Sequence, residues 1–242
     1  MSTLAVRGLR KSYGGIEAVR GLSFDVAAGE MVALIGPNGA GKTTCFNLLN
    51  GQVAPEAGEI LLEGRSIAGL PPRRVWHLGV GRTFQITETF GSMSVRDNVQ
   101  MALLSFHRRI FKTNSLEMAE TDQLLAQVGM QAQAERPCAE LAYGDLKRVE
   151  LAMALASHPR LLLMDEPTAG MAREERDDLM SLATGLARSE RIAVLFTEHD
   201  MEVVFGRADR VLVLHAGELI ASGTPAQVRA NEKVREVYLG HA

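Results

Sequence analysis

The sequence predicts an α/β fold, with a mostly parallel sheet, an antiparallel β unit at the N-terminus and a helical insertion. Short runs that are almost wholly apolar recur, each followed by a glycine-rich or acidic turn and then a helical stretch. Strands covered on both faces by crossover helices read this way. Other apolar runs near the N-terminus have charged neighbours, as a half-exposed antiparallel sheet requires. From about residue 86 to 155 the β-type runs give way to helical periodicity.

The elements follow in chain order. "LAV" near Leu4, "LSFDV" from Leu22 and "EILLE" from Glu59 are the half-exposed strands. "MVALI" from Met31, "LLLM" from Leu161 and "AVLF" from Ala193 are the covered ones, and "VLVL" from Val211 is a further strand. In the insertion, Val95, Val99 and Ala102/Leu103 recur at helical spacing, with Ser94 as the cap. "EMAETDQLLAQVGM" is a second helix, ended by Gly129. "ELAYGDLKRVELAMALA" is a turn running into a third. There Gly144 can admit another backbone, and Asp145 can cap the helix, whose free N–H groups form an anion site. Met171, Met180 and the other methionines are expected to pack in helices. The chain is read as one domain over residues 1–242, with a helical subdomain at about 86–155 and no internal repeats.

Composition narrows the function. A net charge of −3 without a long basic tract disfavours nonspecific nucleic-acid binding. Cys45 and Cys138 are far apart and form no CxxC or Cys/His cluster, so neither a metal site nor a disulfide framework is expected. The first 30 residues show no signal-peptide pattern. No apolar run approaches the ~18 residues of a membrane span, so any membrane role comes through a partner.

"GPNGAGKTT" comprises Gly36, Pro37, Asn38, Gly39, Ala40, Gly41, Lys42, Thr43 and Thr44. It fits G-x-x-x-x-G-K-[ST] between a strand and a helix, the context that gives this pattern meaning. The glycines let loop N–H groups surround phosphates, Lys42 reaches the β- and γ-phosphates, and the Thr43 hydroxyl serves Mg²⁺. "LLLMDEPT" ends a buried strand in Asp165, which can hold Mg²⁺, and Glu166, which can polarise a water. "LFTEHD" places His199 after another buried strand, where an imidazole can hydrogen-bond a γ-phosphate. "GRTFQ" ends in Gln85, whose amide can contact Mg²⁺ or the water and report nucleotide state to the insertion. Tyr13 could stack on a base. These parts describe a phosphate-loop nucleotidase without separating a transport ATPase from a kinase, a GTPase or a DNA-linked motor, although the N/T-K-x-D motif of GTPases is absent from the sequence.

In their order — Tyr13, the phosphate loop, Gln85, "LAYGD", "MDE", His199 — the motifs resemble the ABC-transporter ATPase family over essentially the whole chain. "GVGRTFQ", "EPTAGM", "TEHDMEVVF" and "VREVYLG" are similar to the ATP-binding subunits of branched-chain amino acid importers, in particular the longer of their two ATPases. ATPases for urea and short amides share several of these strings.

The resemblance implies ATP and Mg²⁺ as ligands and a head-to-tail pair of such domains. In that pair Ala142, Tyr143, Gly144 and Asp145 contact the γ-phosphate of ATP held by the other subunit. It further implies two transmembrane permease subunits, an associated substrate-binding protein, and a place on the cytoplasmic face of a bacterial inner membrane. Within the family pattern Ala142 replaces the signature serine, Tyr143 replaces a glycine, and Ala172 replaces the aspartate after the acidic pair. Unequal ATP sites in a heterodimer are therefore expected. Aromatic-acid import, a non-transport ABC ATPase acting on ribosomes or DNA, and a module that binds ATP without cleaving it are the alternatives.

Overall fold

A computed structural model describes residues 2–83, 89–107 and 115–239, with side chains left out at 115–116 and 238–239. The chain opens with two long strands, β1 (Ser2–Tyr13) and β2 (Ile16–Ala27), then β3 (Met31–Ile35) and helix α1 (Lys42–Leu49). Strands β4 (Ala57–Leu62) and β5 (Arg65–Ser66), helix α2 (Pro72–His77) and strand β6 (Val80–Thr83) follow. Helices α3 (Val95–His107), α4 (Ser115–Gln127) and α5 (Tyr143–Leu155) come next, then β7 (Leu161–Asp165), α6 (Arg173–Ser189) and β8 (Ala193–Thr197). Helix α7 (Met201–Arg207), β9 (Arg210–His215), β10 (Glu218–Gly223), α8 (Pro225–Ala230) and α9 (Glu232–Val234) complete the order, with one π turn at Arg235–Leu239.

Two sheets result, as the charge pattern foretold. The antiparallel sheet has the order β2-β1-β4-β5, and the larger sheet the order β10-β9-β3-β8-β7-β6. In the larger sheet only the β9–β10 pairing is antiparallel. Its central strands β3, β7 and β8 are apolar up to their last residues because successive side chains enter different cores. Met31, Ala33 and Ile35 join the cluster that includes α3, α5 and α6. Val32 and Leu34 join the cluster shared with α1 and the antiparallel sheet. The same alternation separates Leu162 and Met164 from Leu161 and Leu163, and Val194 and Phe196 from Ala193 and Leu195.

The sequence reading missed β5, β6 and β10. Each is short or half-exposed at a sheet edge, so none leaves a long apolar run. Between residues 89 and 155 the described elements are helical. Ser94 caps α3, its hydroxyl accepting from the Asp97 N–H at 3.0 Å. Gly129 follows α4 with φ 72°, and the Met130 N–H closes back on the Leu125 carbonyl at 2.8 Å. Met171 and Met180 are buried, but Met101 and Met118 are exposed, so not every methionine is a packing residue.

Candidate nucleotide site

The phosphate loop is the turn from β3 into α1. Its helix begins after Gly41 with no side-chain cap, leaving its first N–H groups directed outward. Pro37 is half-buried, Asn38 and Gly39 are exposed, and Ala40 is buried. The loop rests on the rest of the fold through the Gly217 N–H, which donates to the Ala40 carbonyl at 3.0 Å. Lys42 folds over it, its ammonium donating to the Gly36 carbonyl at 2.7 Å and the Pro37 carbonyl at 3.3 Å. Burial lowers the Lys42 pKa from its ordinary value, while Glu166 and Asp165 oppose that shift. A phosphate would meet the same desolvated ammonium. Thr43 is exposed on the first turn of α1, and Thr44 is half-buried.

The acidic pair leaves the end of β7, and β8 lies between β7 and β3. Asp165 is held at both oxygens. The Thr197 hydroxyl donates to Oδ1 at 2.8 Å, and Arg82 Nη2 donates to Oδ2 at 3.2 Å. Arg82 also donates to Asn47 Oδ1 at 2.9 Å and Gln52 Oε1 at 3.2 Å, joining β6 to the phosphate-loop helix and the segment after it. Glu166 takes a left-handed φ of 47°, and its N–H donates to Thr197 Oγ1 at 3.0 Å. Glu166 Oε1 lies 2.8 Å from His199 Nε2, pairing the two groups expected to act on water and γ-phosphate. Behind them the buried Glu198 carboxylate accepts from the Thr168 N–H at 2.8 Å and the Thr168 hydroxyl at 2.7 Å.

The structure thus gathers Lys42, Asp165, Glu166 and His199 at one edge of the parallel sheet. Gln85 lies outside the described residues. Tyr13 ends β1, 47% exposed, with the Lys11 ammonium 5.4 Å from its ring centroid. The oxygen donors of Thr43 and Asp165 suit Mg²⁺, which needs only one or two carboxylates beside substrate phosphates. That is compatible with finding, among the described residues, no group of three or more His, Cys, Asp or Glu placed to hold a metal.

At Ala142–Asp145 one expectation is corrected. Helix α5 already starts at Tyr143, with Ala142 in the cap position and no side-chain cap. Asp145 therefore falls in the first turn, where its carboxylate accepts from Gln133 Nε2 at 2.9 Å instead of capping. Gly144 does permit close packing, but the group above it within the chain is a side chain. A Cβ there would stand 3.2 Å from Glu175 Oε1 and 3.5 Å from Met171 Cε. Tyr143 is partly exposed beside Lys147, which forms a buried 3.0 Å ion pair with Glu150. Among the described residues no hydrogen bond or ion pair joins residues 142–145 to residues 36–44.

Sequence reasoning missed Arg82, Thr197, Glu198 and Asn47. Three of them sit inside quoted strings, "GRTFQ" and "LFTEHD", but only the fold shows what they touch.

Comparison with known proteins agrees with this geometry. Residues 19–169 match a family model described as ABC transporter. Residues 218–242 match one described as branched-chain amino acid ATP-binding cassette transporter. The chain is 38% identical to the high-affinity branched-chain amino acid transport ATP-binding protein LivG of Escherichia coli (strain K12), covering 99% of this chain and 98% of that protein. It is also 38% identical, with the same coverage, to the similarly described BraF of Pseudomonas aeruginosa. Among solved structures, the ADP conformation of MJ1267, an ATP-binding cassette of an ABC transporter, superposes with a TM-score of 0.90 at 28% identity, covering 100% of both chains.

Proposed function

The chain belongs to the ABC transporter ATPase family, and on that premise we propose that it is the ATP-hydrolysing subunit of an importer for branched-chain amino acids. The observation that carries the reaction is the Glu166–His199 pair, 2.8 Å apart at the sheet edge that also bears Lys42. The amino-acid assignment rests on the relatives' described substrates and on the C-terminal match. Urea, amide or aromatic-acid import is the alternative within the same family.

In this reading Tyr13 stacks on adenine, and Lys42 with the N–H groups of Gly36–Thr44 holds the phosphates. Thr43, Gln85 and Asp165 would hold Mg²⁺, which neutralises charge building on the phosphate oxygens. Glu166 accepts the proton of the attacking water. His199 exchanges its contact with Glu166 for one with the γ-phosphate. Ala142–Asp145 completes the ATP site of a second ATPase subunit, and two permease subunits place the pair at the inner face of the membrane. The helical subdomain at about 86–155, beginning near Gln85, carries the motion to them. Ala142, with no hydroxyl to offer, makes the site that it completes the slower one; comparing turnover at the two sites of the assembled complex checks this.

Glu166→Gln should bind ATP and hydrolyse it at least ~100-fold more slowly, as loss of a general base implies. Full turnover in this variant refutes the assignment. Solubilising host membranes and identifying what accompanies the tagged chain tests the rest. Two permeases and a second ATPase are expected, and ribosomal or DNA-bound partners without a permease would overturn the transport role.

A further inference from the structure

The end of β8 does more than deliver His199. Thr197 is 1% exposed, so its hydroxyl has no water to satisfy it. It serves both members of the acidic pair, donating to Asp165 Oδ1 at 2.8 Å and accepting from the Glu166 N–H at 3.0 Å. The Thr197 carbonyl accepts from that same N–H at 3.2 Å. Glu166 sits at φ 47°, an uncommon conformation for a residue other than glycine. The neighbouring Glu198 and His199 fasten Thr168 and the Glu166 carboxylate in the same manner.

We infer that Thr197 is a positioning residue for ATP hydrolysis, whose hydroxyl fixes the Asp165 carboxylate and the left-handed turn of Glu166 in working register. This rests on the reading of Asp165 and Glu166 as the acids of the site. Neither contact touches the phosphate loop, where Lys42 bonds to Gly36 and Pro37. Loss of the hydroxyl therefore strikes turnover and spares the Mg²⁺-free nucleotide binding that the phosphate loop supplies. Asp165 keeps its bond to Arg82 but can rotate about it, and Glu166 is released from the hydroxyl.

The test compares Thr197→Val, which replaces the hydroxyl by a methyl of similar size, with Thr197→Ser, which keeps it. Both are made in the full chain, purified with the partners that it brings from its host membrane, and Glu166→Gln is carried alongside. For Thr197→Val, kcat should fall about 10- to 100-fold, as expected for a lost bond to a charged group. The affinity for a fluorescent ATP analogue without Mg²⁺ should stay within about threefold of the parent. Thr197→Ser should restore kcat to within about threefold of the parent. Unchanged kcat in Thr197→Val while Glu166→Gln is slow overturns the positioning role. A serine variant as slow as the valine one also overturns it, since packing of the methyl would then be the cause. Full activity in Glu166→Gln defeats the hydrolytic reading itself, independently of Thr197. Should the valine variant not fold, Thr197→Ala against Thr197→Ser makes the same comparison.

Discussion

Gly41→Ala should disable the phosphate loop for two separable reasons. Gly41 has φ 104° and ψ 5°, where a side chain strains the backbone by about 1–2 kcal/mol. Its Cβ would also stand 2.4 Å from the Ala18 carbonyl oxygen, with Gly217 Cα 3.6 Å away on another strand connection. A carbon–oxygen contact normally needs roughly 3.3 Å. The obstacle is backbone in β2, which cannot rotate aside, so forced repacking adds about 1–3 kcal/mol. Together these give about 2–5 kcal/mol, or roughly 4–20 °C in Tm for a chain of this length. Gly39→Ala supplies the control. Its φ is +80° but nothing lies within 4 Å of the added carbon, so only the strain of about 1–2 kcal/mol applies. Calorimetry measures both variants, and titration with a fluorescent nucleotide measures affinity. Gly41→Ala should melt lower than Gly39→Ala and bind ATP more than ~10-fold more weakly than the parent. Equal melting temperatures for the two would refute the close-contact reasoning.

Two further predictions concern groups beneath the site. Arg82→Ala leaves the Asp165 carboxylate, 16% exposed, without its guanidinium and should cost about 3 kcal/mol in urea denaturation; a change below about 0.5 kcal/mol would show that the pair is inert. The Cys45 thiol is buried and pushed up to about 12, from 9.0. The native state therefore keeps a proton that the unfolded chain releases above pH 9. Stability is intact below that pH and falls by about 1.4 kcal/mol per unit from 9 towards 12. Cys45→Ala should flatten that limb of the pH–stability curve, and an unchanged slope would count against the burial argument.

How much of this was legible in the sequence depends on chain separation. The phosphate loop reads directly because its residues are contiguous and its glycines and lysine are chemically distinctive. The covered strands read directly because both faces meet apolar cores, as the Met31–Ile35 alternation shows. Arg82–Asp165 and Thr197–Asp165 join residues 83 and 32 apart, and neither arginine nor threonine announces its partner. Strand β10 stayed hidden because much of it faces solvent at an edge. Asp145 looked like a cap because acids favour that position, but the helix begins earlier and Gln133 claims the carboxylate.

The strand order β3-β8-β7 makes the sheet a ruler. The phosphate loop and the acidic pair are tethered two strand spacings apart, roughly 9.6 Å, and the Thr197–His199 segment is the middle graduation. Hydrogen-bonded pairing sets that scale, so helices on either side can drift in sequence without recalibrating it. A one-residue slip of β8 would not be absorbed. It would displace Thr197 by about 3.3 Å and turn its side chain to the other face. Insertions in the turns that enter these strands, at the end away from the site, should thus be far better tolerated than any insertion within them.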